Sequence, residues 1–296
     1  MQPSAPISPA NSSKASATPR KPLNWTRTIL GRAALAVIFL AVTYGGFVWY
    51  TRFRGTGWSQ TFNLSLWYHR NRGEDLYHSN QELLVHGNRN LREVAITFDD
   101  GPHPTSRALI LDTLKQYGVH ATFFDVGINM EHHAELVRRT AAEGHETANH
   151  TEHHQYLTEL SPSERRREIN DSDIAYCAIT GGHLKLLRPP GMRMNPVVLS
   201  EAAGLGYVTV AYTTAAKDAD ASDPTPAQVI AERTIGRIEN GSILLLHDYP
   251  STAEALPAIL DALRARGFRA VTISEMLEHL PEPVRSDAHR QLTSTP

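Results

Sequence analysis

Short apolar runs alternate with longer amphipathic stretches along most of the chain after residue 91. The apolar runs predict strands at 94–98, 120–127, 146–149, 184–187, 207–214, 242–246 and at the start of 268–276. Strands that alternate with helical patterns are typical of a parallel sheet covered by helices, which is an α/β fold. Seven strand candidates favour a barrel over an open sheet, although the alternation alone fits both.

The stretches between these runs carry helix start and stop signals. Helices are predicted at 104–118, 131–144 and 251–267, and from 161, 195 and 225 onward. The clearest start is "SPSE" at 161–164, a capping box with proline at the first helical position. A clear stop is Gly118, which closes the first of these helices.

The first 50 residues have a different character. They begin with a segment rich in Ser, Ala and Pro, a composition that cannot bury a core, so we expect 1–28 to be a disordered cytoplasmic tail. The segment Ala33–Tyr50 then holds 18 residues without a charge, about the length needed to cross a bilayer. We therefore expect a transmembrane signal anchor at 29–50.

The charges around this apolar run predict its orientation. Basic residues without any acidic residue precede it, which favours a cytoplasmic N-terminus and an extracytoplasmic body in a single-pass cell-membrane protein. The alternative is a cleaved signal peptide and a secreted protein. A buried core helix is disfavoured because the run has no polar face. Beyond it we expect a stalk or N-terminal extension at 51–90 and a flexible tail at 282–296.

Composition narrows the classes of function. The formal net charge is −2, so no basic field indicates nucleic acid as a partner. Cys177 is the only cysteine, which excludes an intramolecular disulfide and a cysteine-based zinc site. With no catalytic context around it, Cys177 is interpreted as an ordinary small side chain.

Polar residues collect where the predicted strands end. They are Asp99-Asp100, "NHTEHH" at 149–154, Arg188, "KDADASD" at 217–223 and His247-Asp248. In a parallel barrel the carboxyl ends of the strands meet at one face, where active sites lie. We therefore expect these side chains to converge.

Asp99 and Asp100 form an adjacent pair of like charges at the end of a strand. Neighbouring side chains of a regular strand point to opposite faces, so the two can share a site only where the pleat breaks, and Gly101-Pro102 breaks it. Two close carboxylates repel unless a cation lies between them or one takes a proton. A metal site satisfies this requirement, whereas an ordinary Asp-Gly turn is the simpler alternative.

The chain has 15 histidines, and several cluster between His145 and His154. His150 and His154 are four residues apart, which on a helical turn would place both imidazoles on one side, with His153 as a competitor. Together with Asp100 they give two nitrogens and one oxygen. That set suits Zn²⁺, with Co²⁺ or another first-row divalent metal as alternatives, and it leaves positions open for water and substrate.

These segments together resemble the polysaccharide deacetylase family, carbohydrate esterase family 4, whose members share a NodB homology domain. The resemblance covers about 91–281 and rests on "TFDDGP" (97–102), "HTEHH" (150–154), "RPPG" (188–191), "DASD" (220–223) and "LLH" (245–247). It implies a distorted (β/α)7 barrel of parallel strands, in agreement with the strand count.

The resemblance also implies a role for each residue of these motifs. Asp100, His150 and His154 would hold the metal. Asp99 would be the general base, kept as a carboxylate and oriented by Arg188. His247 would be the general acid, supported by Asp223. The backbone N–H of Gly191 would stabilise the oxyanion, and Leu245 would line the acetyl pocket.

Two positions depart from the family pattern. Gly191 stands where a tyrosine is frequent, and Pro224 stands where a tryptophan is frequent. We therefore expect a more open sugar groove, with one wall lost and the lid over the acetyl methyl group in doubt. Neither change removes a metal ligand, the base or the acid.

The function expected from this resemblance is hydrolysis of N-acetyl groups on amino sugars of an extracytoplasmic polysaccharide, peptidoglycan or a chitin-like glycan. One alternative is an O-acetyl esterase that acts on xylan or on acetylated envelope polysaccharide. Another is a glycan-binding protein with a decayed site, which the retention of six reactive residues disfavours.

Overall fold

The computed structural model describes residues 77–78, 82–218 and 225–282, together with 284, 290 and 293. The chain divides into two units, Met1–Thr61 and Phe62–Pro296, and every described residue belongs to the second. The predicted tail at 1–28, the predicted anchor at 29–50, most of 51–90, most of 282–296 and Asp223 lie outside the described residues. Within the described ranges, no helix combines the length and the apolar character needed to span a membrane.

The described part of the chain is built on a ten-stranded sheet. The strands are β1 (Tyr77–His78), β2 (Leu83–Leu84), β3 (Glu93–Gly101), β4 (Thr122–Asp125), β5 (Glu146–Asn149), β6 (Leu186–Leu187), β7 (Val208–Val210), β8 (Thr214–Ala215), β9 (Ser242–His247) and β10 (Arg269–Val271). Their order is β1-β2-β7-β6-β5-β4-β3-β9-β8, and β10 pairs with the start of β3. Every described pair is parallel except β1 with β2. The parallel α/β fold predicted from the alternation is confirmed, and it is consistent with a (β/α)7 barrel.

Helices connect most of the strands. They are α1 (Arg107–Tyr117), α2 (Gly127–His132), α3 (Ala134–Ala142), α4 (Pro162–Thr180), α5 (Pro196–Gly204), α6 (Ala227–Ile235), α7 (Pro250–Ala265) and α8 (Ile273–Glu278). The predicted capping box is present at the start of α4, where the Glu164 backbone N–H and the Ser161 side chain are 3.4 Å apart and the reciprocal bond also forms. Asn195 caps α5 through a 2.9 Å hydrogen bond from the Val198 backbone N–H.

Three predicted elements differ in detail. The helix predicted at 131–144 is two helices, α2 and α3, which meet at His133. The strand predicted at 207–214 is divided into β7 and β8, which lie at different places in the sheet. The strands β1 and β2 belong to the region predicted as a stalk or extension, so the sheet begins before residue 91.

Strand β3 is the centre of the sheet, between β4 and β9. Its side chains alternate between two hydrophobic clusters: Val94, Ile96 and Phe98 pack on the side of the α1 and α7 helices, and Ala95 packs on the other side. All four are fully buried. Strand β9 pairs with β3 in a register that places Asp99 opposite His247. The packing of this central pair therefore brings the first and last sequence motifs together.

Candidate active site

The regular structure of β3 breaks at its carboxyl end. Its register against β4 shifts between Asp99 and Gly101, and Asp100 has a φ of 68°. This irregularity lets the carboxylates of Asp99 and Asp100 face the same site, as the adjacent pair predicted. Gly101 is required by close packing, because a Cβ there would lie 2.1 Å from Nη2 of Arg107.

Asp100, His150 and His154 come together at this end of the sheet. Oδ1 of Asp100 lies 3.3 Å from Nε2 of His150 and 3.1 Å from Nε2 of His154. One potential ligand atom from each residue lies within 4.8 Å of the others, which is the spacing that a shared cation requires. Two imidazole nitrogens and one carboxylate oxygen suit a first-row divalent metal with open positions. The donor set therefore fits the metal that the sequence predicts.

The two histidines are carried by a loop and not by a helical turn, so that part of the prediction is wrong. Residues 150–156 are not helical, and both Thr151 and His154 have positive φ values, of 68° and 56°. These left-handed residues curl the loop so that the two imidazole rings lie 5.0 Å apart. His153 points elsewhere, since its Nδ1 lies 3.0 Å from Glu168 of α4.

The orientation of His150 is set by a neighbouring backbone group. Its Nδ1–H donates a 2.7 Å hydrogen bond to the carbonyl oxygen of Arg188. Because a carbonyl can only accept, Nδ1 carries a proton and Nε2 faces Asp100, where it donates to the carboxylate when it is protonated and can bind a metal through its lone pair when it is not. Burial would raise the pKa of the Asp100 carboxyl, but hydrogen bonds from His150 and His154 hold it well below its usual range.

Asp99 lies beside the three potential metal ligands and is held by a buried arginine. Nη1 of Arg188 donates to Oδ1 of Asp99 over 2.6 Å and to the hydroxyl of Thr97 over 2.8 Å. The Arg188 side chain is fully buried, and its guanidinium lies 4.0 Å above the ring of Phe124. Asp99 is therefore fixed with its second oxygen, Oδ2, on the side of His150 at 3.8 Å.

His247 lies at the end of β9, next to Asp99 in the strand pairing and close to this cluster. Its Nδ1 lies 2.8 Å from Oδ1 of Asp218, and its Nε2 lies 4.0 Å from Oδ2 of Asp100. Burial alone would lower the pKa of the imidazole, but the hydrogen bond and charge of Asp218, with the charges of Asp99 and Asp100, raise it to about 9. His247 is thus an acid aimed toward the cluster.

The acidic partner of His247 was not found by sequence reasoning. Asp223 was predicted for that role and lies outside the described residues, whereas Asp218 fills the position at Nδ1 and also accepts a 2.7 Å hydrogen bond from Thr252. The signal that could have found it is the strand end: Asp218 lies three residues after Ala215, the last residue of β8, and Ala215 pairs with Leu245 of β9. His247 lies two residues after Leu245, so the same register brings it next to the segment that contains Asp218.

The remaining predicted residues lie around the cluster. Leu245 is buried in β9 and shares its face with His247, two residues on. Gly191 lies in the loop after β6, three residues past Arg188, with a φ of 59°. A conformation of this kind favours glycine.

Known proteins are similar to this chain in sequence and in fold. A family model described as "Polysaccharide deacetylase" matches residues 86–210. The chain is 36% identical over 194 residues to a peptidoglycan-N-acetylglucosamine deacetylase of Bacillus cereus, an alignment that covers 64% of this chain and 90% of the relative. It is 32% identical over 201 residues to a chitin deacetylase of Colletotrichum lindemuthianum, with coverage of 64% and 81%.

A solved structure gives the corresponding result for the fold. The crystal structure of the Bc1960 peptidoglycan N-acetylglucosamine deacetylase, in complex with a hydroxamate-type benzamide, matches with a TM-score of 0.63 at 32% identity. The match covers 66% of this chain and 92% of that chain. The chain therefore belongs to the polysaccharide deacetylase family, and the hydrolase class predicted from its motifs is confirmed.

Proposed function

We propose that this protein is a metal-dependent hydrolase that removes N-acetyl groups from amino-sugar residues of an extracytoplasmic polysaccharide. The observation that carries the proposal is the cluster of Asp100, His150 and His154, with Asp99 3.8 Å from His150 and His247 4.0 Å from Asp100. A base and an acid placed around a cation site are what hydrolysis of an unactivated amide requires.

The chemistry of the metal would complement that of the protein residues. A divalent ion held by Asp100, His150 and His154 would polarise the acetamide carbonyl and lower the pKa of a water molecule to roughly 7. Zn²⁺ is the first candidate, and Co²⁺ or another first-row metal is compatible with the same donors.

Asp99 would accept the proton of the attacking water. Its contact with Arg188 keeps one oxygen engaged, so the other oxygen is left to act as the base. The buried guanidinium also fixes the direction of that free oxygen. Arg188 is therefore a positioning residue for the base.

His247 would protonate the leaving amine. Asp218 holds the imidazole by Nδ1, which leaves Nε2 to donate toward the reacting group. A pKa raised to about 9 keeps the imidazole protonated at neutral pH, as a general acid needs. The backbone N–H of Gly191 would stabilise the developing oxyanion, and Leu245 would contact the acetyl methyl group.

The substrate class is supported by the relatives. The names of two of them refer to peptidoglycan N-acetylglucosamine and to chitin. Both are glycans that carry N-acetyl groups, so peptidoglycan or a chitin-like glycan is the proposed substrate of this chain. A membrane anchor at 29–50 would place the catalytic part outside the cytoplasm, where such polymers lie.

The test of the activity is acetate release by the purified full-length chain. The protein is treated with a chelator and assayed on peptidoglycan, chitooligosaccharides and an O-acetylated xylan, with and without added Zn²⁺ or Co²⁺. Acetate release restored by metal supports the proposal. Metal binding with acetate released only from an O-acetylated glycan would favour the esterase alternative. Glycan binding without any acetate release would favour the glycan-binding alternative.

The anchor has a separate test. The full-length chain should sediment with membranes, and a variant without residues 29–50 should not. Protease added to intact cells should digest the catalytic part if it faces outward. A mature protein that begins beyond residue 50 in the soluble extracellular fraction would show a cleaved signal instead.

A further inference from the structure

Tyr156 occupies the space beside Gly191, where the sequence predicts a lost groove wall. A Cβ built on Gly191 would lie 3.0 Å from Cε1 and 3.7 Å from Cδ1 of the Tyr156 ring. Tyr156 comes from a different loop, two residues after His154. An aromatic ring therefore stands at the position that Gly191 leaves open.

Arg193 fixes the orientation of this ring. Its guanidinium lies 3.7 Å from the ring centroid of Tyr156, within cation–π distance. Nη1 of Arg193 also pairs with Glu159, which belongs to the short 3-10 helix that follows Tyr156. The three side chains therefore join the loop after β5 to the loop after β6. The cation–π contact and the ion pair favour the observed orientation of the ring.

This pair remains accessible to solvent. Tyr156 is 37% exposed, and it is the one aromatic residue among the exposed large hydrophobic side chains of the described part of the chain. The side chain of Arg193 is 26% exposed. An ordered, half-exposed aromatic ring has apolar surface available for a ligand.

The location connects the pair to the reacting centre. Tyr156 follows the metal-ligand candidate His154 by two residues, and Arg193 follows Arg188 by five. Because the Tyr156 ring lies next to Gly191, whose backbone N–H is the proposed oxyanion donor, a polysaccharide with its acetamide at the cluster would pass beside this ring. A pyranose ring has flat C–H faces that pack on an aromatic ring, and its hydroxyls accept hydrogen bonds from a guanidinium.

We propose that Tyr156 and Arg193 form a subsite that binds the pyranose ring of a sugar next to the acetylated residue. The subsite makes the enzyme selective for oligomers and polymers over single sugars. This inference rests on the proposed function for the class of ligand. The position of the subsite rests on the contact between Tyr156 and Arg193.

The test is calorimetric binding of chitopentaose and of N-acetylglucosamine to the full-length chain, with Asp99→Asn in all proteins to prevent turnover. Tyr156→Ala should raise the Kd for the pentasaccharide about tenfold and change the Kd for the single sugar less than about twofold. Tyr156→Phe keeps the ring and should bind like the parent. Tyr117→Ala is the matched control. Tyr117 lies in α1, away from the cluster, and it also has an arginine over its ring, Arg264 at 5.2 Å.

A second variant guards against unfolding. Arg193→Lys keeps the charge but loses the planar group, and it should raise the Kd for the pentasaccharide about threefold. Three results would overturn the subsite. They are an unchanged pentasaccharide Kd in Tyr156→Ala, an equal rise in Kd for both sugars, and no binding of the pentasaccharide by the parent protein. Acetate release by the wild-type chain tests the proposed function independently. A chain that binds through Tyr156 but releases no acetate would refute the activity and keep the subsite.

Discussion

Nδ1 of His247 lies 2.8 Å from Oδ1 of Asp218, and the second oxygen of the same carboxylate accepts the backbone N–H of His247 at 2.8 Å. One carboxylate thus holds both the ring and the backbone of the proposed acid. Asp218 is only 2% exposed, so this contact is shielded from water. The contact makes Asp218 the residue that sets the orientation and charge of His247.

Replacement of this carboxylate should reduce turnover and spare the metal. Asp218→Asn should lower kcat for acetate release roughly 10- to 100-fold, because the imidazole loses its ionic partner. Metal affinity should stay within about twofold of wild type, since Asp218 is not one of the three candidate ligands. The measurement is steady-state kinetics with calorimetric metal titration.

The matched comparison for that variant is Asp223→Asn, which changes the acid that the motif resemblance had selected. It should leave kcat near the wild-type value. A larger loss of kcat in Asp223→Asn than in Asp218→Asn would contradict the role given to Asp218.

The proposed base can be separated from the metal ligands. Asp99→Asn should keep metal binding and lower kcat at least about 100-fold, because the amide cannot accept the proton of water. His150→Ala should lose metal binding and activity together, because it removes one of the three clustered donors. Metal content of the purified variants and acetate release are measured side by side. Full activity in Asp99→Asn would show that the base is another residue.

A buried ion network behind the Asp99-Asp100 turn should be important for stability. Arg107 lies between Asp125 and Asp248, and the three side chains are 0%, 0% and 1% exposed. Arg107→Met would leave two buried carboxylates without a cation, so the free energy of unfolding should fall by about 3–5 kcal/mol. The free energy of unfolding is measured by urea denaturation, with circular dichroism as the signal.

The control for this loss is an arginine that is paired at the surface. Arg139 contacts Asp112 and Glu143 with 30% of its side chain exposed. Arg139→Met should lower the free energy of unfolding by less than about 1 kcal/mol. Equal losses in the two variants would mean that burial of the Arg107 network contributes nothing.

A buried histidine should make folding stability depend on pH. Burial and the charge of His120 lower the pKa of His145 to about 4, while its Nδ1 accepts the backbone N–H of Ala121. Between the ordinary histidine pKa and this lowered value, the unfolded chain binds a proton that the folded chain does not. Stability should therefore fall as the pH decreases, by about 2 kcal/mol from pH 7 to pH 5.

The variant that isolates this effect is His145→Asn, whose side-chain oxygen can replace Nδ1 as the acceptor. The difference in unfolding free energy between pH 7 and pH 5 should shrink by about 2 kcal/mol relative to wild type. His132→Asn, at an exposed position, should leave that difference unchanged. If the unfolding free energy changed with pH equally in wild type and in His145→Asn, other groups would be responsible for the loss of stability at low pH.

Local signals in the sequence were reliable where they concerned a single element. The run "VAITF" predicted the buried centre of β3, and "SPSE" predicted the start of α4. Strand propensity, capping and turn chemistry act between residues close in the chain, so they can be recognised without a fold. The adjacent carboxylates Asp99 and Asp100 likewise predicted a break in the pleat, which the structure has at that point.

The sequence failed where spacing allowed more than one geometry. The four-residue separation of His150 and His154 is compatible with a helical turn, but the chain reaches it with a loop of left-handed residues. The loop is held by contacts with α4, including the hydrogen bond from the Glu152 backbone N–H to the Glu168 carbonyl. A partner in a distant helix leaves no local signal at the histidines themselves.

By itself the sequence determined the alternation of strands and helices, the family, the candidate metal ligands, and Asp99 and His247 as the candidate base and acid. These features could be recognised because motifs and periodicity are encoded in neighbouring residues. Only the tertiary structure decided that Asp218 partners His247 and that Tyr156 fills the space beside Gly191. Each of these contacts joins residues more than 25 positions apart. Such contacts depend on strand register and loop packing, which are set by the whole core and not by the residues in contact.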